Sequence, residues 1–441
     1  MTTNNALFYQ TSDDAPLIDR ADGIYLWDNN GKRYIDGCSG AITCNMGHNH
    51  PAIKAAMKQQ LETIAFSYRT QFENQAAIDL ANQLVEITNH DLDKVFFVGS
   101  GSEAVESAIK LARQYFFALG QTQRQHFVSL RPSYHGSTLG ALGLTSYQPL
   151  EQPFSSIINS AIKVPSPDLY RYSQASLQLH IEAVLGETEA AINEVGGENI
   201  IAIVLEPVGG ASTGARMLTQ QYYDGIQQLC QRFGCLLILD EVLSGMGRTG
   251  QWLAYQHWDI KPDIVALAKG LGAGYYPIAA MLARQELVSP VLESGGFQHG
   301  HTYAGNPLAC ATGRAIIQAM HDEQIVANAA KQGAYLREKL DQLQDYHPMI
   351  GHVRGIGLLQ GVEFVQNRQT KQAWPAEFNI FAQITNIAKQ MGLLIYPRRS
   401  LNGVAGDHIL IAPPLTVTSE EIDLIVSLFS DALHKLEQAY L

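Results

Sequence analysis

The sequence predicts an α/β protein in which a large domain with a mainly parallel sheet is joined by a smaller α+β domain. Between residues 66 and 328, short apolar runs alternate with helix-like segments, which is the order of parallel strands with helical crossovers. The runs CLLILD and DIVALAK are almost wholly apolar, as strands are when helices cover both faces of their sheet. After residue 328 the pattern changes, and this change indicates a second domain built from both termini.

Residues 1–65 are expected to form the N-terminal part of the smaller domain. The stretch GIYLWDNNGKRYID holds two alternating runs around the turn residues 28–31, which predicts a β-hairpin. The segment HPAIKAAMKQQLETI then predicts an amphipathic helix. We expect this part to pack with residues 329–441, where helix-like segments flank strand-like runs.

The large domain, residues 66–328, is expected to alternate strands and helices along its length. Its strand-like runs are, in order, KVFFV, QHFVSL, IIAIVLEP, CLLILDEV and DIVALAKG. Residues 146–195 are the least regular part, because Pro, Ser, Tyr and Gln cluster there before another helix-like segment. In the C-terminal domain the strand-like runs are VRGIGLLQGVEFV, LLIYP and HILIAPP.

The composition argues against several classes of function. The chain has 30 Lys and Arg against 42 Asp and Glu and no basic run with interleaved aromatics, so a nucleic-acid partner is not expected. No apolar stretch reaches the ~18 residues that a membrane span needs. The N-terminal stretch has no basic and apolar regions of a signal peptide. The five cysteines are few and odd in number, which suits reduced thiols, and we expect a cytoplasmic protein.

Charged residues follow three of the apolar runs, namely Asp240, Lys269 and Glu206. Because open α/β sheets bind ligands beyond the carboxyl ends of their strands, we expect these residues to converge on one crevice. An amine there can form a Schiff base, and a carboxylate can hold the protonated ring nitrogen of pyridoxal phosphate. The ordinary alternatives are a lysine that reaches solvent and, for Asp240 with Glu241, a metal site or an acid/base pair. The metal site ranks lower because no histidine cluster accompanies the carboxylates.

Two loops could complete a cofactor site. GSGSEAVESAIKLAR follows KVFFV, and Ser100 with Glu103 fits a capping box at the start of a helix. Free N–H groups at such a helix start suit a phosphate at Gly101 and Ser102, although a plain capped helix would give the same pattern. In SYHG, Tyr134 could stack on a planar ring, or it could be a buried tyrosine of a surface loop.

We expect no metal ion in this protein. The residues Cys38, Cys44, His48 and His50 have a spacing that is not a recognised zinc pattern.

Together these segments resemble the class III pyridoxal-phosphate aminotransferases, which have the fold type I architecture. The resemblance runs through nearly the whole chain and is strongest in the series LILDEVLSGMGRTG and LAKGLGAGYYPIAA. Further matching segments are GIYLWDNNGKRYIDGCSG, GHNHP, GSGSEAVESAIKLAR, SYHGSTLGAL, LEPVGG, HTYAGNPLACATG and GDHILIAPPLTVT.

The resemblance implies two catalytic residues. Lys269 would bond the cofactor as a Schiff base and, once freed, move a proton between the substrate carbon and the cofactor. Asp240 would keep the pyridine nitrogen of pyridoxal phosphate protonated.

The resemblance also implies the remaining contacts of the cofactor. Tyr134 and Val242 would lie on the two faces of the ring, and His135 and Glu206 are expected to lie beside it. Gly101 and Ser102 would bind the phosphate. Thr302 looks like the residue that reaches the phosphate from the partner subunit, which implies a homodimer with shared active sites.

Departures from the family pattern bear on the substrate. Members that act on ornithine or aminobutyrate carry Arg where this chain has Ser137, and they tend to carry Gln where it has Leu243. Both differences favour the ω-transaminase-like branch, whose amino donors can lack an α-carboxylate. Ile42 and Thr43 align with the aromatic substrate wall of that branch and are smaller, so they predict a roomier pocket.

That branch often uses a mobile arginine to receive the carboxylate of a keto acid. Gly403 falls at the nearest aligned position, while Arg398 and Arg399 lie upstream. Either arginine could clamp a carboxylate. We expect Arg399 to do so, with two solvated loop arginines as the alternative.

The sequence therefore predicts a pyridoxal-phosphate-dependent aminotransferase. It would move an amino group from an amine or amino acid to a keto acid, pyruvate or 2-oxoglutarate, in two half-reactions. The closest alternatives are a racemase or epimerase, an aminomutase or a decarboxylase of the same family. A non-catalytic cofactor-binding regulator and a nucleotide-dependent dehydrogenase are disfavoured, because no basic patch accompanies the domain and the GxGxxG fingerprint is absent.

Overall fold

The computed structural model describes residues 6–11 and 15–440. The strands are β1 (Ile18–Asp22), β2 (Tyr25–Asp28), β3 (Arg33–Asp36), β4 (Lys94–Val98), β5 (His126–Arg131), β6 (Ile162–Pro165), β7 (Ile200–Leu205), β8 (Leu236–Asp240), β9 (Ile264–Leu267), β10 (Ala279–Ala283), β11 (Ile350–Ile356), β12 (Leu359–Asn367), β13 (Gln372–Ala373), β14 (Leu393–Leu394), β15 (Tyr396–Leu401) and β16 (Ala405–Ile411). The helices are α1 (Ser39–Ile42), α2 (Pro51–Thr63), α3 (Gln75–Ile87), α4 (Gly101–Ala118), α5 (Leu139–Leu144), α6 (Gln148–Glu151), α7 (Gln174–Val195), α8 (Gln220–Phe233), α9 (Gln285–Glu293), α10 (Pro307–Asp322), α11 (Ile325–Tyr346), α12 (Ile380–Gln390) and α13 (Ser419–Glu437).

A large, mainly parallel sheet forms the centre of the fold, and the predicted α/β class is confirmed. The strand order is β4-β10-β9-β8-β7-β5-β6, and every strand except β10 runs in the same direction. The sequence analysis did not identify β10 or β6. Only residues 268–278 separate β9 from β10, too few for a helical crossover, so β10 must return antiparallel.

Both faces of this sheet are buried, which explains its apolar strands. Along β7 the successive residues Ile203, Val204 and Leu205 alternate between two hydrophobic clusters, one on each face, and none of them is exposed. Helices therefore cover the sheet on both sides, as the continuous apolar runs predicted.

The two ends of the chain meet in a smaller sheet, β1-β2-β3-β14. β2 and β3 form the predicted hairpin, and the Asp28 carboxylate closes its turn by accepting from the N–H groups of Asn30 and Lys32, both at 2.9 Å. β14 pairs parallel with β3, so residues near 393 complete a sheet begun before residue 40. A further sheet, β11-β12-β16-β15, follows residue 328. The exact domain boundaries stay a prediction.

Arg248, in the loop after β8, joins segments from three regions of the chain. Its side chain is fully buried. Nη1 donates to the carbonyl oxygens of Leu358 and Pro413 at 3.1 and 2.5 Å. Nη2 donates to Ser39 Oγ at 3.0 Å and to Asn45 Oδ1 at 2.8 Å. Burial lowers the pKa of this guanidinium to about 9 and the charge of Asp36 opposes that shift, so the group stays charged at neutral pH.

We predict that Arg248→Leu lowers the free energy of unfolding by about 3–5 kcal/mol, because it leaves buried acceptors without a donor. Urea unfolding of the cofactor-loaded protein measures the change. Arg232→Leu is the matched control, since Arg232 pairs with Glu189 at the surface and its loss should cost about 0–1 kcal/mol. Equal effects of the two substitutions would show that Arg248 does not hold the regions together.

Candidate functional site

Three neighbouring parallel strands bring charged residues to one edge of the large sheet. Asp240 is the last residue of β8, and Glu206 directly follows β7. Lys269 follows the neighbouring strand β9 but lies two residues beyond its end, so the prediction of a strand that closes on this lysine is wrong by two residues. Lys269 opens a single 3₁₀ turn with φ of 43°, a left-handed conformation that is uncommon for a residue with a side chain.

The amine of Lys269 is held inside the crevice and does not extend into bulk solvent. Nζ donates to the carbonyl oxygen of Ala41 at 2.6 Å. Burial lowers the pKa of Lys269 to about 8, Asp240 opposes this shift, and the charges of Arg248 and Arg398 add to it. A substantial fraction of the amine is therefore neutral, and able to attack a carbonyl, just above neutral pH.

Asp240 is buried and its two carboxylate oxygens are both oriented. Oδ2 lies 2.9 Å from Nδ1 of His135, and Oδ1 accepts from the N–H of Val242 at 3.0 Å. The structure therefore brings together three of the residues predicted to bind the cofactor.

Glu241 does not act with Asp240 as a pair. Its carboxylate accepts from the Ser244 hydroxyl at 2.7 Å and from the backbone N–H groups of Ala254 and Tyr255 at 3.0 and 2.7 Å. Burial raises the pKa of Glu241 to about 7. Because its oxygens already hold two loops together, we assign it a structural role.

The start of α4 is capped nearly as predicted. Ser100 Oγ accepts from the N–H of Glu103 at 3.3 Å. The Glu103 carboxylate, however, accepts from the N–H of Gly99 at 2.6 Å and not from that of Ser100, so the capping-box prediction is wrong by one residue. The extended backbone at Ser100 turns its own N–H away from the helix.

The first residues of α4 form a close-fitting cradle. A Cβ at Gly101 would lie 2.8 Å from Cγ1 of Val242, so only glycine permits this approach. A Cβ at Gly136 would lie 2.6 Å from Oγ of Ser102. Ser102 Oγ accepts from the N–H of Ser137 at 3.0 Å, which leaves the hydroxyl proton available to an anion at the helix start.

Tyr134 and Glu206 lie next to each other at this edge. The N–H of Tyr134 donates to Glu206 at 3.3 Å, and the second carboxylate oxygen of Glu206 accepts from Gly210 at 2.8 Å. Burial raises the pKa of Glu206 to about 7. The Tyr134 side chain is 38% exposed and its hydroxyl lies 3.1 Å from Ser137 Oγ, so one face of the ring is open to a ligand.

The predicted substrate wall requires a correction. Ile42 is 2% exposed and packs in a core cluster with Val208 and Leu410, because φ of 58° turns its side chain inward. It has no surface left for a substrate. Thr43 is half-buried and stays a prediction, while the part of this segment that reaches Lys269 is the carbonyl of Ala41.

Arg399 does not fit the predicted carboxylate clamp. Its Nε donates to the fully buried carboxylate of Asp407 at 2.8 Å. Its Nη2 donates to the carbonyl of Ala376 at 2.6 Å and to Asn379 Oδ1 at 2.7 Å. Both Nε and Nη2 are thus bonded to the protein itself.

Arg398, the preceding residue of β15, points to the opposite side of the strand, as side chains alternate along a strand. It is exposed, and Nη2 donates to the hydroxyl of Tyr396 at 3.0 Å. Among residues 6–11 and 15–440, no carboxylate forms an ion pair with it. Its charge is one of those that lower the pKa of Lys269.

Gly403 lies in the turn between β15 and β16 and cannot carry a side chain in this packing. Its φ is 78°, and a Cβ there would lie 2.6 Å from Pro149 Cδ and 2.8 Å from Tyr147 Cε1. The turn is fixed to this segment because Gln148 N–H donates to the Asn402 carbonyl at 3.1 Å. No side chain can therefore reach the crevice from this position.

Thr302 lies apart from the other predicted residues. It is exposed and lines a cleft of about 450 Å³ together with Leu61, Phe66, Tyr303 and Asn306. None of the other residues predicted to bind the cofactor lines this cleft. Its role across a subunit interface stays a prediction.

Two contacts escaped the sequence analysis. The Ala41 carbonyl that holds Lys269 is a backbone group, which no residue pattern reveals. The sequence analysis considered Ser137 only as a position where other family members carry arginine. In the structure, Ser137 bonds to both Tyr134 and Ser102.

Comparisons with known proteins identify the family of this chain. Residues 8–433 match the family model Aminotransferase class-III. The uncharacterized aminotransferase YodT of Bacillus subtilis is 37% identical, with 96% of each chain covered. The adenosylmethionine-8-amino-7-oxononanoate aminotransferase of Anoxybacillus flavithermus is 34% identical over 95% of this chain and 91% of its own.

Solved structures give the same result. An amine transaminase from an uncultivated Pseudomonas species, in its PLP-bound form, is 32% identical with a TM-score of 0.90 and covers 99% of each chain. A thermostable (S)-enantioselective omega-transaminase from Thermomicrobium roseum is 32% identical with a TM-score of 0.91, over 98% of this chain and 96% of its own.

We predict that the reactivity of Lys269 in the cofactor-free protein rises with pH around a midpoint near 8, because the neutral amine is the nucleophile. Trapping with a small aldehyde and a hydride reductant, followed by peptide mass spectrometry, measures the rate. Asp240→Asn should lower the midpoint and Arg398→Gln should raise it, since their charges act in opposite directions. A wild-type midpoint near 10, or shifts of the opposite sign, would contradict this account.

Proposed function

The chain belongs to the class III aminotransferases, and from this premise we propose that it moves an amino group from an amine lacking an α-carboxylate to a keto acid. The family uses pyridoxal phosphate and works in two half-reactions, with pyruvate or 2-oxoglutarate as the expected acceptor. The observation that carries the proposal is the pair of Lys269 and Asp240 at adjoining strand ends, together with Arg398, whose charge lowers the pKa of Lys269 and which has no carboxylate partner among the described residues.

The residues at this edge fit pyridoxal phosphate. Lys269 offers a partly neutral amine and Asp240 a fixed carboxylate for a protonated ring nitrogen. The glycines at 101 and 136 leave a cradle that a Cβ would fill, next to the hydroxyl of Ser102 and the start of α4. Tyr134 and Val242 would face the ring, and His135 would orient Asp240.

When bound, pyridoxal phosphate supplies an electron-withdrawing ring that stabilises negative charge at the donor carbon. The protein supplies the proton transfer and the charges around it. Lys269 takes a proton from the donor carbon and returns one, with the Ala41 carbonyl holding the freed amine in place. Asp240 keeps its negative charge directed at the ring nitrogen because His135 and the Val242 N–H fix both oxygens.

The side of the crevice near Tyr134 favours a donor without an α-carboxylate. Ser137 is uncharged and bonded to Tyr134, and Leu243 is apolar. Glu206 beside them is half-buried, with a pKa that burial raises to about 7, and its hydrogen bonds come from the backbone N–H groups of Tyr134 and Gly210. A carboxylate placed here would meet no positive charge and would lose its hydration.

We assign the keto-acid acceptor to a different residue, Arg398. An exposed guanidinium without a carboxylate partner can form two parallel hydrogen bonds to the carboxylate of a keto acid. Because Gly403 cannot carry an arginine and Arg399 is held by Asp407, we assign the acceptor to Arg398.

We also propose a homodimer in the cytoplasm. The cleft at Thr302 is lined by the exposed aromatics Phe66 and Tyr303, at 42% and 70%, which suits contact with a second copy of the chain. None of the five cysteines is in a disulfide, as expected in a reducing compartment. Within the described residues, no helix is long and apolar enough to span a membrane. A fully active monomer in sedimentation experiments would exclude the shared site.

The first experiment follows the visible spectrum of the cofactor-loaded protein during addition of single amines and amino acids without a keto acid. We expect an amine without an α-carboxylate to convert the cofactor to its amino form, and pyruvate or 2-oxoglutarate to restore it. Lys269→Ala should abolish both conversions. Conversion by α-amino acids alone would contradict the proposed donor class, and cofactor binding with no conversion by any donor would contradict transamination.

We predict that Arg398→Gln raises KM for the keto acid about 10- to 100-fold, the loss of roughly 1.5–3 kcal/mol from a charged hydrogen-bonded pair. The half-reaction with the amine donor should stay within about twofold. Arg399→Gln is the matched control and should lower stability without a selective change of this KM, because its partners lie within the protein. A KM change in Arg399→Gln but not in Arg398→Gln would show that Arg399 binds the carboxylate of the keto acid, as the sequence analysis predicted.

A further inference from the structure

A second cluster of chemically active side chains lies between the ends of α11 and α13. His347 follows the last residue of α11, and His434 and Glu437 lie three positions apart in the last turn of α13. One ligand atom from each of the three lies within 4.8 Å of the others. These residues take no part in the proposed transamination.

The contacts of His347 are those of a metal ligand with its supporting group in place. Nδ1 lies 2.9 Å from a carboxylate oxygen of Glu437, and Nε2 lies 2.8 Å from Ser430 Oγ. In the ion-free protein the contact between Nδ1 and Glu437 is a hydrogen bond; a bound ion would take the place of its proton, with Nε2–H donating to Ser430. This is the arrangement in which the other ring nitrogen of a metal-bound histidine is fixed by a hydrogen bond.

The ligand atoms must move to bind an ion, because their separations reach up to 4.8 Å. Zinc binds nitrogen and carboxylate oxygen at about 2.0–2.2 Å, so the ligand atoms of a tetrahedral site are roughly 3.3–3.5 Å apart. The 2.9 Å between Nδ1 and Glu437 is slightly shorter than this, and the ring of His434 lies with its centroid 4.5 Å from that of His347. His434 is exposed and can turn by a rotation of its side chain.

The surroundings favour a cation. His347 and Glu437 are buried, at 0% and 9%, so a charge at Glu437 is costly unless a positive group compensates it. The C-terminal end of α13 adds the partial negative charge of its free carbonyl groups. Arg368 donates to the carbonyls of Gln344 and His347, both at 2.6 Å, and fixes the backbone that carries the first ligand.

We propose that His347, His434 and Glu437 bind one zinc ion that ties α11 to α13. Two histidines and one glutamate form a ligand set that zinc accepts, with the exposed side left for a water molecule. The ion would stabilise the folded protein by mass action, because the ligands are 90 positions apart and come together only on folding. This departs from the expectation of no metal.

Calorimetric titration of ZnCl₂ into the chelator-treated, cofactor-loaded protein tests the site. We expect one zinc ion per chain and a zinc-dependent rise in Tm. His434→Ala and Glu437→Gln should each weaken zinc binding at least about tenfold and abolish the rise in Tm. His321→Ala, which removes an exposed histidine next to Asp322 on α10, is the matched control and should leave both unchanged.

Two results would overturn the proposal. One is the absence of saturable zinc binding in the wild-type protein. The other is unchanged affinity in His434→Ala, which would place the zinc elsewhere; because His434 is exposed, this substitution leaves the core intact.

Discussion

The buried guanidinium of Arg248 holds together the segments on which the site depends. It binds Ser39 and Asn45, and between them lies Ala41, whose carbonyl receives the amine of Lys269. Its other bonds go to carbonyls at 358 and 413, in the C-terminal region. The position of the reactive amine is thus tied to both ends of the chain. The buried charge of Arg248 is costly unless acceptors surround it. Because these acceptors come from separate regions of the chain, the regions depend on one another.

The choice of the acceptor arginine depends on the alternation of side chains along β15. Arg398 and Arg399 are adjacent and chemically identical, yet Arg398 bonds to the Tyr396 hydroxyl and Arg399 to the buried carboxylate of Asp407, because successive strand residues point to opposite faces. A shift by one residue in the pairing of β15 with β16 would exchange their roles. The register of one hairpin therefore determines which cation a substrate meets.

The sequence predicted the positions that follow from the pattern of apolar residues. It did not predict the positions at which the local backbone conformation determines where a side chain points. Asp240 and Lys269 follow runs that can only be buried strands, so their common edge could be derived. The inward turn of Ile42 depends on a left-handed φ that residue identity does not reveal. The approach of His347 to Glu437, 90 positions away, depends on how two helices pack. No local pattern encodes such contacts, and the resemblance to a family did not supply them either.

In the proposed function, a charge that binds the substrate also influences the proton affinity of Lys269. Burial lowers the pKa of Lys269 to about 8, while the charge of Asp240 raises it and the charges of Arg248 and Arg398 lower it further. A keto acid whose carboxylate pairs with Arg398 would offset that positive charge and raise the proton affinity of Lys269. In the acceptor half-reaction the amine must carry a proton to deliver to the substrate carbon. An amine donor without a carboxylate does not neutralise Arg398 in this way. The amine of Lys269 is then more readily neutral, which it must be to remove a proton from the donor. One unpaired arginine can thus favour opposite protonation states of Lys269 in the two half-reactions.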